Sequence, residues 1–327
     1  MSLVNYVKYS NPTSHKDVLS KLRTFALDRG WTVDYYETSK QWAYDSGSSQ
    51  YDFLSGQTYD HDNLQIYTNG YGNQDVVVRF RADDDSGDPQ EEQLWVRGID
   101  PSYRNVDHSN SDDPISQNFF TGTYFQPLSL SPGTMPAVWF FGNDKFICGV
   151  VQVASNFIQT FFCGVIELFD QSTNDGIWEV STCYYSASSN AWYNLIGSTN
   201  MNFACFWSPD GDSSYYYKFW FEGDKTAGRI DSNCGFGADD GYLGEFNKLS
   251  YCVRQNAWTG KRVLIKPTLF GQRRSDNVWY PIGTYPFYCI EFAGLQIGQE
   301  LTYGSERYIV FPTAFPDRQY GFAFRIA

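Results

Sequence analysis

Residues 138–169 read Val-Trp-Phe-Phe-Gly-Asn-Asp-Lys-Phe-Ile-Cys-Gly-Val-Val-Gln-Val-Ala-Ser-Asn-Phe-Ile-Gln-Thr-Phe-Phe-Cys-Gly-Val-Ile-Glu-Leu-Phe, the longest apolar run in the chain. Gly142-Asn143-Asp144 divides a short aromatic segment from a second run at 146–153, and Ala154-Ser155-Asn156 divides that from a third at 157–168. Val, Ile and Phe dominate each piece, and turn residues recur about every ten positions, so the pattern predicts strands in place of one continuous helix. Within the run, no window of about 20 residues escapes Asn143, Asp144, Lys145, Gln152, Asn156 or Gln159, and no membrane span is expected. The expectation is a buried three-strand meander at the centre of a sheet.

Composition points the same way. Aromatic residues make up 19% of the 327 residues and charged residues only 19%, a balance that suits half-buried pleated surfaces. The predicted fold is mainly β, antiparallel and sandwich-like, with long loops and one amino-terminal amphipathic helix. That helix follows Pro12-Thr13. Ser14 and Asp17 have capping-box spacing, Val18, Leu22, Phe25 and Ala26 form one apolar stripe, and Gly30 provides the stop, with Trp31 folding back over the last turn. A strand is expected from Trp31 to Tyr36, short strands and polar loops over 40–75, and a strand from Asp75 to Arg81. Further strands are expected at 177–185, 191–196, 201–207, 215–221, 249–255 and 262–270. Turn-rich residues 105–136 suggest a boundary between a helix-plus-β subdomain at 1–125 and a β-rich subdomain at 126–327.

A net charge of −13 argues against a surface built for nucleic-acid phosphates or for an anionic membrane. The amino terminus lacks a basic segment followed by an apolar one, so no secretory leader is expected. The seven cysteines are odd in number and several sit singly in apolar strands, as Cys148, Cys163, Cys252 and Cys289 do. Reduced, buried thiols fit this better than disulfides or a zinc site, for which no Cys-x-x-Cys pair exists.

Signatures of chemistry are absent from the sequence. His15, His61 and His108 have no metal-ligand spacing, and there is no nucleophile elbow, Walker loop or dinucleotide fingerprint. The acidic stretch Asp83-Asp84-Asp85-Ser86-Gly87-Asp88-Pro89 lacks the EF-hand order and reads as a solvated hairpin loop. Cys234-Gly235-Phe236-Gly237 lacks the strand–helix context of a phosphate cradle. No catalytic, cofactor-binding or metal-ligating residue is therefore assigned, no cofactor is expected, and the chain is expected not to be an enzyme.

Three stretches, in order, resemble a set of tailed-bacteriophage virion proteins. Residues 22–34, Leu-Arg-Thr-Phe-Ala-Leu-Asp-Arg-Gly-Trp-Thr-Val-Asp, are similar to the family's amino-terminal helix and Gly-Trp-Thr turn. Residues 138–164 are similar to its middle signature, an aromatic strand, Gly-Asn-Asp, a Val-rich strand and Phe-Phe-Cys-Gly. Pro281-Ile-Gly-Thr-Tyr-Pro286 and the closing hairpin at 295–312, ending Tyr-Ile-Val-Phe-Pro, are similar to its carboxy-terminal strands. The resemblance implies a virion structural protein of the tail, neck or baseplate, made in the host cytoplasm. It would assemble through aromatic-rich surfaces as a homo-oligomeric ring or collar against other tail or neck proteins, with loops such as 83–89 setting the fit. A carbohydrate- or receptor-binding module of the same particle, and a polysaccharide hydrolase, are the competing expectations.

Overall fold

The meander forms, and both of its faces are buried. The computed structural model describes residues 4–43, 58–70, 75–83, 93–99, 126–129, 135–154, 157–165, 167–169, 178–186, 191–193, 204–207, 259–266, 268–272, 279–312 and 320–327. In chain order the first elements are β1 (Asn5–Ser10), α1 (His15–Asp28), β2 (Thr32–Ala43), β3 (Thr58–Asn69), β4 (Asp75–Asp83), β5 (Gln93–Ile99) and β6 (Gln126–Ser129). The meander follows as β7 (Ala137–Gly142), β8 (Phe146–Ala154) and β9 (Phe157–Val165), then β10 (Glu167–Leu168), β11 (Trp178–Ser186), β12 (Ala191–Tyr193) and β13 (Ala204–Trp207). The carboxy-terminal part holds β14 (Thr268–Gln272), β15 (Trp279–Thr284), β16 (Tyr288–Glu291), β17 (Gln299–Tyr303), β18 (Glu306–Pro312) and β19 (Tyr320–Arg325).

The fold is thus mainly β with one helix among the described residues. The central sheet runs β1-β7-β8-β9-β11-β12, with β13 also against β11. The amino-terminal sheet runs β2-β3-β4-β5-β6, the carboxy-terminal sheet β16-β19-β18-β17, and a small sheet β10-β15-β14. Every described strand pairing is antiparallel.

Because side chains alternate along a strand, the meander feeds two separate cores. Val138, Phe140, Ile147, Val151, Phe161 and Cys163 join the helix stripe and the inward residues of the amino-terminal sheet, among them Leu64, Ile66, Val78 and Phe80. Trp139, Phe141, Phe146, Cys148, Val150, Ile158 and Phe162 join Phe287, Ile309, Phe311, Phe322 and Phe324 of the carboxy-terminal sheet. Phe80 meets Phe161 edge-on at 5.4 Å between ring centroids, and Phe141 stacks on Phe324 at 4.0 Å. A third cluster on the far side of the carboxy-terminal sheet collects Tyr288, Ile290, Phe292, Tyr308 and Val310. Each fully buried side chain of this size is worth about 1.5–3 kcal/mol.

The helix ends as its sequence predicts, with one change. Ser14 is the N-cap and its Oγ accepts from the Asp17 amide at 3.1 Å. The Asp17 carboxylate does not close the box on Ser14; it accepts from the Thr13 amide at 2.9 Å and pairs with Lys21. At the other end, Gly30 has φ +86°, its amide donates to the Leu27 carbonyl, and the Trp31 amide donates to the Ala26 carbonyl at 3.0 Å. This is a Schellman stop. Val18, Leu19, Leu22, Phe25 and Ala26 are all fully buried.

Trp31 then ties the helix to the meander. Its indole Nε1 donates to the Asn143 carbonyl at 2.8 Å, in the turn between β7 and β8. The Asn143 side chain holds that turn by accepting from the Lys145 amide at 2.8 Å and the Phe146 amide at 3.2 Å. Thr68 donates its hydroxyl to the Asp144 carbonyl, Lys145 Nζ donates to the Asn69 carbonyl at 2.7 Å, and the Val165 amide donates to the Lys145 carbonyl at 2.9 Å. One short turn therefore binds the helix stop, the end of β3 and the end of β9. Gly164 lies beside it with φ +125°, where an added Cβ would stand 2.4 Å from the Lys145 carbonyl oxygen.

Several expectations are corrected. β1 was not expected as a strand, yet it edges the central sheet in register with β7. Residues 58–69, expected as polar loop with short strands, form one long strand whose Leu64 and Ile66 point into the core. Most of 262–266 is irregular and touches β16 through the Ile265–Cys289 bridge, with the strand starting only at Thr268. Apart from these corrections, β6 extends the amino-terminal sheet and β1 joins the sheet of the meander. The stretches 215–221 and 249–255 lie outside the described residues.

Two substitutions test the turn. Trp31→Phe keeps the buried ring and removes the bond to Asn143, with an expected loss of about 1–2 kcal/mol in urea unfolding. Gly164→Ala forces a Cβ into the Lys145 carbonyl at a left-handed residue, with an expected loss of about 2–4 kcal/mol by the same measurement.

Candidate functional site

The polar chemistry of the described residues gathers in three places. The first is the outer face of the amino-terminal sheet, opposite the helix. There Gln65 and Arg79 stand across from each other on β3 and β4, and both are buried. Gln65 Oε1 accepts from Arg79 Nε at 3.2 Å and Nη2 at 2.9 Å, while Gln65 Nε2 donates to Asp34 at 3.0 Å. The Arg79 guanidinium also lies 5.6 Å from the Tyr35 ring centroid. A neutral amide relays between a guanidinium and a carboxylate, so the charge pair is separated by one side chain and its geometry is fixed by the strand register.

The second gathers at the outer side of the carboxy-terminal sheet. Tyr308 donates its hydroxyl to Glu306 at 2.7 Å, and Arg325 holds the other oxygen of the same carboxylate at 2.9 Å. Burial raises the Tyr308 phenol above its ordinary range, and the hydrogen bond to Glu306 raises it further. This phenol is a donor throughout the physiological range. Tyr288 packs edge-on against it at 5.5 Å.

The third comprises ion pairs at the margins, Lys21 with Asp17, Lys266 with Glu167, and Arg307 with Glu300. Burial pushes the Asp17 carboxyl up, but the hydrogen bonds from Lys21 and Thr13 outweigh that and hold it below the usual carboxylate range. Exposed or half-exposed pairs of this kind contribute little to stability, about 0–1 kcal/mol each.

Of the residues weighed for chemistry in the sequence, two histidines are described. His15 is buried at the first turn of the helix, and His61 lies within β3, in register with Lys40 on one side and Asp83 on the other. His108, most of the acidic loop 83–89 and the glycine-rich 234–237 lie outside the described residues. Among the described residues, no three His, Cys, Asp or Glu side chains converge as a metal site would require. No helix among them is long and apolar enough to cross a membrane. The Gln65–Arg79 and Glu306–Tyr308–Arg325 groups were not anticipated, because their partners meet through strand register or across a sheet.

Among the described residues, β1 ends the central sheet and β17 ends the carboxy-terminal sheet, and both mix half-buried with exposed residues. β16, at the opposite border, is covered by Ile265, whose amide and carbonyl bond to Cys289 at 3.0 and 2.7 Å. Most phenylalanines among the described residues, by contrast, have gone inward: Phe25, Phe80, Phe140, Phe141, Phe161, Phe162, Phe287, Phe292, Phe311, Phe322 and Phe324 are all fully buried. No protein-family model matches the chain, and no curated protein matches it either.

Burial pushes the Cys163 thiol up strongly and the Cys289 thiol up to about 12, so both are protonated, inert thiols in the folded chain. Alkylation at about pH 8 followed by peptide mapping is expected to leave Cys148, Cys163 and Cys289 unmodified in the native protein and to label all three in urea.

Proposed function

We propose that the chain is a non-enzymatic structural component of a tailed-phage particle, forming a ring or collar-like layer of the tail, neck or baseplate. One observation carries the reading. The three stretches that resemble phage virion proteins are far apart in sequence, yet they meet as one unit. Trp31 of the Gly-Trp-Thr turn bonds to Asn143 of the Gly-Asn-Asp turn. The closing hairpin packs on the same strand from the other side, with Phe311 edge-on to Trp139 at 5.2 Å and to Phe141 at 5.7 Å. Gly298, just before β17, approaches the Trp139 ring so closely that a Cβ would lie 2.8 Å from it. Convergence of the three stretches on one joint is what a single scaffold signature would require, and it supports the reading.

The architecture supports a passive joining role. A doubly covered central sheet holds the subunit rigid, and exposed strand edges offer backbone donors and acceptors for a neighbour. The localisation is then the virion, with copies of itself and other tail or neck proteins as partners. Density-purified particles from cells producing this chain are expected to contain it at a fixed stoichiometry, located as a ring by cryo-electron microscopy. Its absence from such particles, or turnover of a cell-surface polysaccharide by the purified chain, would overturn the reading.

A further inference from the structure

We propose that β1 of one copy pairs antiparallel with β17 of another, with Lys8 opposite Glu300. This rests on the premise above that copies associate, and adds the contact that joins them.

The outward-facing groups of β1 follow from its ladder. The Asn11 amide donates to the Pro136 carbonyl at 3.0 Å, which continues the β1–β7 register by one step and places the odd-numbered residues of β1 in hydrogen bonds with β7. Val4, of the opposite parity, donates away from β7, to the Arg325 carbonyl at 3.2 Å. Tyr6, Lys8 and Ser10 therefore direct their amides and carbonyls outward. On β17, the tight turn at Gly304 and Ser305 makes Tyr303 and Glu306 a bonded pair, so Leu301 bonds inward and Glu300 and Thr302 face outward.

The two edges complement each other when run antiparallel. With Lys8 opposite Glu300, Tyr6 falls opposite Thr302 and Val7 opposite Leu301, matching charge with charge and apolar with apolar. Lys8 and Glu300 are both exposed. Lys8 lies 5.1 Å from the Trp139 ring centroid and Glu300 pairs with the exposed Arg307, so each charge is already positioned at its edge. Like-with-like pairing centred on either charge sets Lys8 against Lys8, or Glu300 against Glu300, which is unfavourable. Central charged residues are also a device against indiscriminate edge pairing, and here the two signs on two edges select one partner edge.

Sedimentation of the full-length chain measures the association, with thermal unfolding as a control for folding. Lys8→Glu and Glu300→Lys are each expected to weaken it at least about tenfold, and the double reversal, or a mixture of the two single variants, to restore it. Thr302→Pro removes an outward amide, leaves the inward ladder intact, and is expected to weaken association without a charge change. Association unaffected by the single reversals, or no rescue by the double one, overturns the pairing while leaving the virion reading standing. A chain that is monomeric at every concentration also overturns it. Loss of the virion reading alone would appear as rescue in sedimentation with the chain absent from particles.

Discussion

Burial of the β7–β9 meander on both faces is the constraint on which the other layers depend. Most antiparallel strands have one wet face, and a slip of one residue exchanges core for solvent. Here a slip would exchange two different cores. Val138 and Phe140 would face the carboxy-terminal sheet, while Trp139 and Phe141 would face the helix, and neither set fits the other's surroundings. Gly149 shows how specific the fit is, since the Phe161 ring of the neighbouring strand occupies the space its Cβ would need, at 2.1 Å. The register is therefore fixed by packing on two sides, and the helix and both flanking sheets can be placed only once it is set.

The turn at Asn143 transmits that register. Its side chain closes the hairpin and its carbonyl accepts from Trp31, so the helix stop is anchored to the same residue that reverses the chain. The Schellman stop sets the direction in which Trp31 leaves the helix, and the indole bond sets where it arrives. Local chemistry at two turns, 112 residues apart, thus becomes one tertiary joint.

The helix was legible because its signals are local: a Ser cap, a stripe with helical spacing, and Gly30 followed by an aromatic residue. The meander was legible because it is apolar throughout and punctuated. β1 was not, since Asn5, Lys8 and Ser10 dilute a six-residue segment that becomes a strand only by lying against β7. β3 was hidden by Asp60, Asp62, Asn63 and Gln65, polar residues read as loop although Asn63 and Gln65 alternate with Leu64 and Ile66 of the core. At 262–266 the apolar triplet Val263-Leu264-Ile265 suggested a strand, but Arg262 binds the carbonyls of Glu291 and Ala293 and holds the segment as a cover over β16. The Arg79–Gln65 relay needs the register of two strands to exist at all, which no single stretch of sequence contains.

The distribution of aromatic residues bears directly on the proposal that copies of the chain associate. The sequence suggests an aromatic surface, yet the large buried set is phenylalanine, and the described residues left at the margins are tyrosines such as Tyr6, Tyr9 and Tyr303 with a single well-exposed Phe169. Phenylalanine has no polar atom and is consumed by the cores; tyrosine keeps a hydroxyl for solvent and suits boundaries. With the apolar payload spent inside, the described surface offers neighbours mainly strand edges, charges and tyrosine rims. Backbone pairing demands a defined register and direction, which a greasy patch does not. Pairing of copies by the proposed edges would thus be selected by geometry and charge.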